Sequence, residues 1–555
     1  MTNFPVLSAI VFVPLLGAVG ALILPRLAGW GWALLASLVD LALALLLIPR
    51  LGTGTTHMLA LNEHMPWLPD AGISYTLSAD GINLFLICLN ALLTVVAVGA
   101  SFGVARSGDR PRQYLMLMLL LSFGMQGVFL ATNLFLFYVF WEVMLVPAYL
   151  LVGMFGGPQR GIAAIKFVLY TTAGSLLMLV AIIATGIEVS STHHTAFTLD
   201  LAALLNAGVP GNVQTVLFLG FAAAFAVKAG LFPLHGWVAD TYSETPVAVL
   251  VLIAGVMAKT GVYGFVRFCL PLFPQGVHSL APIMETLAVA SIIYFALEAL
   301  VALDFMRLLA YVSISHLGVI VLGIFALNTQ GIEGAIVQMI NHGIIIAALF
   351  LIAGAIEART GTRRLADFGA LATKLPWLAT VFMIAALSAL GLPGLNSFAG
   401  EFLAFLGTFQ SSIVFGVLGT LVVIPAAWYM LRFFQGAMEG VTPEGGAVAS
   451  ARVADLRVGE WLPLLPLLAL IIFLGIVPNT LTAPMQQPVG EIVSSYAPAT
   501  PSAFEAPGAN GHVHVYHPIQ VQTIQTQTIQ TRHIYVLQMT NALASGEREQ
   551  ARVGA

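Results

Sequence analysis

Lys228-Ala229-Gly230-Leu231-Phe232-Pro233-Leu234-His235 interrupts an apolar run from 214 to 241, and Gly391-Leu392-Pro393-Gly394-Leu395-Asn396 interrupts another from 376 to 409. Each run exceeds the roughly 20 mostly apolar residues that carry a helix across a bilayer. Proline lacks a backbone donor and its ring collides with the preceding turn, so both helices are expected to break. Irregular backbone at membrane depth persists only where protein or a water-filled cavity satisfies its polar groups. The two breaks therefore point to a polar path inside a membrane protein.

Composition agrees. The 555 residues are 59% hydrophobic and 8% charged, against about 25% charged in soluble domains. So few charges do not cover a soluble globule of this size. Fourteen runs read as spanning helices, near 5–25, 29–49, 80–104, 114–132, 134–155, 162–186, 214–241, 247–270, 279–303, 306–327, 332–356, 376–409, 412–436 and 460–478. Strands of a membrane barrel would be about ten residues long and alternating, so the fold class is an all-α polytopic membrane protein. Each break falls in the fourth helix of a run of five, helices 4–8 and 9–13. Five is odd, so the two units oppose one another, the inverted-repeat arrangement in which broken helices face the ion path. The chain divides accordingly: 1–112 holds helices 1–3, 113–270 the first repeat, 279–436 the second, 459–478 a last helix and 479–555 a polar extramembrane tail.

Lys and Arg placement sets orientation. With the N-terminus outside, inside loops carry Arg26, Arg106, Arg110, Arg112, Arg160, Arg307, Arg359, Arg363, Arg364, Lys374, Arg432, Arg452 and Arg457; outside loops carry Arg50, with Arg267 near a helix end. Both termini are therefore expected outside. Met1-Thr2-Asn3-Phe4 lacks the basic start of a secretory signal, so the first run is expected to be a retained helix. Lys and Arg total 21 and form no basic stripe, which argues against nucleic acid. Cys88 and Cys269 sit in apolar runs and offer neither a disulfide framework nor a cysteine-ligated cluster. Gly156-Gly157-Pro158-Gln159-Arg160-Gly161 lacks the lysine of a phosphate loop. In the tail, His512, His514 and His517 read as a metal site or as solvated loop histidines. The Gln/Thr/Ile-rich stretch at 519–538 reads as a strand against a partner or as a low-complexity segment.

A charge at mid-bilayer costs about 2.5–3.5 kcal/mol on insertion scales, so intramembrane ionisable residues are functional candidates. The runs contain Glu142, Lys228, Lys259, Glu298, His316, His342 and Glu401. Glu142 is the only acid in its helix and needs a cation or a proton; Lys228, beside the first break, is the expected partner. Two unit charges at 4 Å interact by about 4 kcal/mol at an effective dielectric of 20. Opening or closing that pair would move a proton on or off Lys228, whereas a static ion pair would only fix packing. Lys259, near mid-helix in Gly255-Val256-Met257-Ala258-Lys259-Thr260-Gly261, reads as a relay or a snorkelling lysine. His316 and His342, in adjacent helices, suit proton shuttling. Glu401, eight residues past Pro393, reads as an exit acid. Glu298, Asp240 and Glu244 read as interface, gate or contact residues.

Phe140-Trp141-Glu142-Val143-Met144-Leu145-Val146-Pro147, Lys228 through Pro233-Leu234-His235-Gly236-Trp237, Leu309-Ala310-Tyr311-Val312-Ser313-Ile314-Ser315-His316-Leu317-Gly318, Asn341-His342-Gly343, and Leu392-Pro393-Gly394 with Gly400-Glu401-Phe402 carry a resemblance. Over roughly residues 1–485 the chain resembles the antiporter-like membrane subunits of proton-pumping NADH:quinone oxidoreductase, respiratory complex I, of the chain M type. The glutamate after the second break, and the lack of a long lateral helix after the fourteenth, favour that type. Two positions depart from the family pattern: Trp237-Val238-Ala239-Asp240 lacks a usual proline, and Met306 replaces a common lysine.

The resemblance implies that Glu142 pairs with Lys228 as an input switch, that Lys259, His316 and His342 are the central relay, and that Glu401 is the exit. It implies a hetero-oligomeric enzyme complex with chain L-type and chain N-type neighbours in a bacterial inner membrane. Redox chemistry would lie in other subunits, with no cofactor or metal in this chain. The competing readings are a subunit of a multi-subunit cation/proton antiporter, a membrane-bound hydrogenase subunit, and a structural membrane scaffold.

Overall fold

The computed structural model describes residues 5–52, 55–440 and 454–496. Helices occupy all fourteen expected positions: α1 (Val6–Ile23), α2 (Arg26–Leu51), α3 (Leu84–Ala100), α4 (Pro111–Leu130), α5 (Leu134–Phe155), α6 (Arg160–His193), α7a (Gly211–Ala229) with α7b (Val238–Glu244), α8 (Val247–Leu272), α9 (Pro274–Val301), α10 (Phe305–Phe325), α11 (Thr329–Thr360), α12a (Pro376–Ala389) with α12b (Asn396–Ser411), α13 (Ile413–Met438) and α14 (Val458–Ile476). Among the described residues, twelve of these are long and apolar enough to cross a membrane; α3 and the broken α12 are shorter. The chain is an all-α polytopic membrane protein.

Both interruptions are built alike. After α7a, the Gly230 N–H donates to the Val227 carbonyl and the Leu231 N–H to the Ala226 carbonyl, with Gly230 at φ 68°. After α12a, the Gly391 N–H donates to Ser388 and the Leu392 N–H to Leu387, with Gly391 at φ 69°. Each is a Schellman ending, which needs a left-handed residue that glycine supplies without a Cβ penalty. Side chains satisfy the backbone around the breaks. Trp237 Nε1 donates to the Val227 carbonyl at 2.9 Å, and the Phe232 N–H donates to Ser291 Oγ at 2.9 Å. At the second break Asn341 Nδ2 donates to the Asn396 carbonyl at 2.6 Å, and Ser388 Oγ donates to Asn396 Oδ1 at 2.6 Å.

The helices differ in how far protein encloses them. The most apolar stretches of α8, α10 and α11 are 100%, 94% and 89% buried, against 33% for α2, α13 and α14. The outer helices turn residues such as Leu35, Ile424, Trp428 and Leu465 outward, as a lipid-facing surface requires. The three enclosed helices carry Lys259, His316 and His342.

Two features were not expected. β1 (Leu61–Leu68) and β2 (Ile73–Ala79) form an antiparallel hairpin with Leu61 opposite Ala79. Gly72, left-handed at φ 61°, closes its turn, and the Thr132 N–H donates to the Thr76 carbonyl. The expected polar tail also begins with a packed helix, α15 (Asn479–Ser494), which buries Leu481, Met485, Val489 and Ile492. Four apolar residues at helical spacing hold it on the bundle although its two prolines and polar residues mask the pattern. The tail histidines and the 519–538 stretch lie outside the described residues.

Candidate functional site

Lys228 occupies the last turn of α7a, where helix carbonyls favour a cation. It is 1% exposed. Its ammonium lies 5.2 Å from the Trp141 ring centroid and 5.6 Å from that of Phe167, and has no hydrogen-bond partner among the described residues. Glu142, next to Trp141 on α5, is half-buried, and its Oε1 is likewise without a partner. The two residues are within electrostatic reach but form no direct ion pair among the described residues. The direct pair expected from the sequence is not formed among the described residues.

Lys259 is fully buried on α8. That helix contains π-helical turns at Ile253–Met257 and Phe265–Cys269, on either side of the lysine. Such turns recur at functional sites. The Lys259 ammonium donates to the Ala254 carbonyl at 2.5 Å, inside the first of them. Glycines bring neighbouring helices close. A Cβ on Gly261 would stand 2.7 Å from the Phe225 carbonyl oxygen and 3.1 Å from Lys228 Cβ, so α8 lies against α7a at the other lysine. A Cβ on Gly343 would stand 2.7 Å from the Gly255 carbonyl oxygen, so α8 lies against α11 beside His342.

His342 is within electrostatic reach of Lys259, and neither of its ring nitrogens has a partner among the described residues. Its ring stacks on His316 with centroids 5.5 Å apart and planes inclined by 24°. His316 Nδ1 lies 2.9 Å from Glu401 Oε1. Glu401 Oε1 also accepts from Gln338 Nε2 and Ser397 Oγ, each at 3.0 Å. Two narrow cavities flank His316. One, of about 10 Å³, touches His342, Gln338 and Ser397; the other, also of about 10 Å³, touches Glu401 and Tyr429. A carboxylate at Nδ1 fixes the proton there and leaves Nε2 to take another. An imidazole in contact with a carboxylate is a pair that can pass a proton.

The six expected residues therefore fall along one course: Glu142 and Lys228, then Lys259, then His342, His316 and Glu401. The structure sets His342 between Lys259 and His316, an order that chain position hides. Glu298 is half-buried beside Tyr294 and within reach of His235, whose ring packs on Phe295 at 4.7 Å. Asp240 on α7b pairs with Lys166 of α6 at 2.6 Å and Arg307 of α10 at 2.9 Å, tying the segment after the first break to both. Glu244 accepts from the Gln159 N–H at 2.8 Å, a contact role.

Sequence reasoning missed Gln338, Ser397, Asn341 and Asn396, uncharged residues whose roles arise only when α11 meets α12b. It placed Arg267 near a helix end, as found, but missed its partners. The guanidinium is fully buried and binds Asp80 through two bonds, at 2.7 and 2.8 Å, while its Nε donates to the Tyr263 hydroxyl. No local pattern couples residues so far apart in sequence.

Comparison with known proteins gives a consistent result. The family described as NADH:quinone oxidoreductase/Mrp antiporter, TM, matches residues 131–424. NADH-quinone oxidoreductase subunit M of Mycobacterium tuberculosis is 37% identical over 86% of this chain and 92% of its own length. The Escherichia coli subunit M is 38% identical over 77% of this chain and 84% of its own. A chain of respiratory complex I from Thermus thermophilus superposes with a TM-score of 0.79 at 32% identity, covering 88% of this chain and 99% of that one. A chain of the Mrp complex from a Dietzia species shares the fold, with a TM-score of 0.74 at 24% identity over 90% and 99%.

Proposed function

The chain belongs to the NADH:quinone oxidoreductase/Mrp antiporter membrane family, and from that premise we propose that it carries protons through the membrane arm of an NADH:quinone oxidoreductase along Glu142, Lys228, Lys259, His342, His316 and Glu401. The observation that carries this reading is the buried row itself. His342 offers two ring nitrogens without partners among the described residues, stacks on His316, and connects through it to Glu401. Buried ionisable groups without fixed partners are costly in a membrane and are retained where they work.

In this reading the open Glu142–Lys228 pair is the input. Closing it to 4 Å is worth about 4 kcal/mol at an effective dielectric of 20, or about a thousandfold in proton binding. That is enough to send a proton on or off the lysine and toward Lys259. Redox chemistry belongs to other subunits of the complex, and this chain needs no cofactor of its own. Chain L-type and chain N-type subunits would flank it in a bacterial inner membrane, both its termini outside, with 113–270 and 279–436 as the opposed repeats. Its identity with the Mycobacterium tuberculosis subunit M, 37%, and with the Thermus thermophilus complex I chain reported above, 32%, exceeds the 24% with the Mrp chain, which supports this reading over a cation/proton antiporter.

The test is proton translocation in sealed vesicles holding the complex with Glu142→Ala or Lys228→Ala. A sharp loss in both, with assembly intact, is expected; normal translocation in both removes the relay.

A further inference from the structure

We infer that Asp40 holds a proton that it donates to Gln126, forming a neutral acid–amide pair between α2 and α4. Nothing in the row from Glu142 to Glu401 calls for this site. Asp40 lies outside residues 131–424, and its side chain is completely buried.

The bonding of the pair is half complete. Gln126 Nε2 donates to Asp40 Oδ2 at 3.1 Å and more weakly to the Ile87 carbonyl at 3.4 Å. The other oxygen of each group, Asp40 Oδ1 and Gln126 Oε1, is buried without a partner among the described residues. Both are acceptors, so neither can serve the other while Asp40 is ionised. A carboxylic acid and a primary amide are complementary: the amide N–H meets one carboxyl oxygen while the carboxyl O–H meets the amide oxygen. One proton on Oδ1 supplies the single donor the pair lacks and satisfies both orphan atoms together.

No cation among the described residues offers an alternative. On α2, Arg26 and Arg50 stand fourteen and ten residues from Asp40, about 21 and 15 Å along a helix. On α4, Arg112 stands fourteen residues from Gln126, about 21 Å. Arg106, on the short Phe102–Ser107 helix that also meets α2, is exposed. α1 and α3 contain no Asp, Glu, Lys, Arg or His. The titratable neighbour is Cys88, whose thiol donates to the Ala44 carbonyl. An unpaired buried carboxylate is the costliest state open to such a group, and taking a proton relieves it.

The site also stands apart from the relay. Asn90 and Thr94 of α3 bond to Ser122 of α4. Leu93 and Leu89 on another face of α3 pack against Gly255 and Gly343, at the meeting of α8 and α11. α4 meets α8 where Phe129 packs on Tyr263, but no hydrogen bond among the described residues joins the acid–amide pair to Lys259 or His342.

Infrared spectroscopy of native membranes holding the assembled protein tests this. Subtracting the Asp40→Asn spectrum from wild type should leave one protonated-carboxyl carbonyl band, and Gln126→Leu should shift that band. Asp40→Asn, whose amide forms the same two-bond pair without a charge, should assemble and translocate protons as wild type. Absence of the band, or failure of Asp40→Asn to assemble, overturns the neutral pair. A loss of translocation in Asp40→Asn overturns the isolation of the site.

Discussion

His316 Nδ1 and Glu401 Oε1 lie 2.9 Å apart, joining α10 to the half-helix that begins after the second break. Gln338 and Ser397 hold the same carboxylate oxygen. An amide in place of that carboxylate keeps its size but cannot hold the imidazole proton. Glu401→Gln is therefore expected to leave the amount of assembled complex unchanged. Proton translocation should fall at least about tenfold, toward the size of effect that loss of a positioned acid or base produces. Vesicle pumping assays beside a native gel check both.

Lys228 has no hydrogen-bond partner among the described residues, so replacing it breaks no hydrogen bond there. Costs in stability come mainly from partners left unsatisfied. Lys228→Met, which fills much the same space between Trp141 and Phe167, should retain or raise thermal stability while translocation falls at least about tenfold. A variant that unfolds earlier than wild type would assign the lysine a structural role.

Gly343 owes its identity to the approach of α8 and α11. A Cβ there meets the Gly255 carbonyl at 2.7 Å, and backbone oxygen has nowhere to retreat. Gly343→Ala should cost about 1–3 kcal/mol, the usual range for overpacking, read as a lower midpoint of thermal unfolding. Gly436→Ala, where a Cβ meets open space within a helix, is the control and should leave the midpoint unchanged or slightly raised.

Asp80 and Arg267 are both completely buried and bound through two hydrogen bonds. Breaking such a pair from one side strands a charge and costs about 3–5 kcal/mol. Arg267→Leu should sharply reduce the amount of assembled protein. Asp80→Leu combined with Arg267→Leu should recover part of the loss, because no lone charge remains. The surface pairs of Asp240 with Lys166 and Arg307 differ: each should contribute about 1 kcal/mol or less, read as a small effect of Asp240→Asn on the unfolding midpoint.

The helices and both breaks were legible because a spanning run and a Gly-Leu-Phe-Pro or Gly-Leu-Pro interruption are local signals. The hairpin was not: Leu61–Leu68 is largely exposed and Ile73–Ala79 largely buried, so neither shows the alternation of a half-buried strand. The identities of the candidate residues were legible because a charge in an apolar run stands out. Their contacts were not. His316 and His342 could be read only as neighbours by helix number, while their stacking, and the bond from His316 to Glu401, depend on how α10, α11 and α12b pack. Asp40, the one charge between Arg26 and Arg50, is equally legible in the sequence; its partner is not, since Gln126 is neutral and lies two helices away.

The most direct test uses His342, whose nitrogens have no hydrogen-bond partner among the described residues and whose ring stacks on His316. Phenylalanine keeps the ring and the stack and removes only the capacity to take a proton. The measurement is the rate of proton translocation, with NADH oxidation recorded alongside, in vesicles holding the His342→Phe complex. Translocation at least about tenfold below wild type, with assembly and thermal stability unchanged, is the result a buried proton row requires. Wild-type translocation would mean that protons do not pass this way.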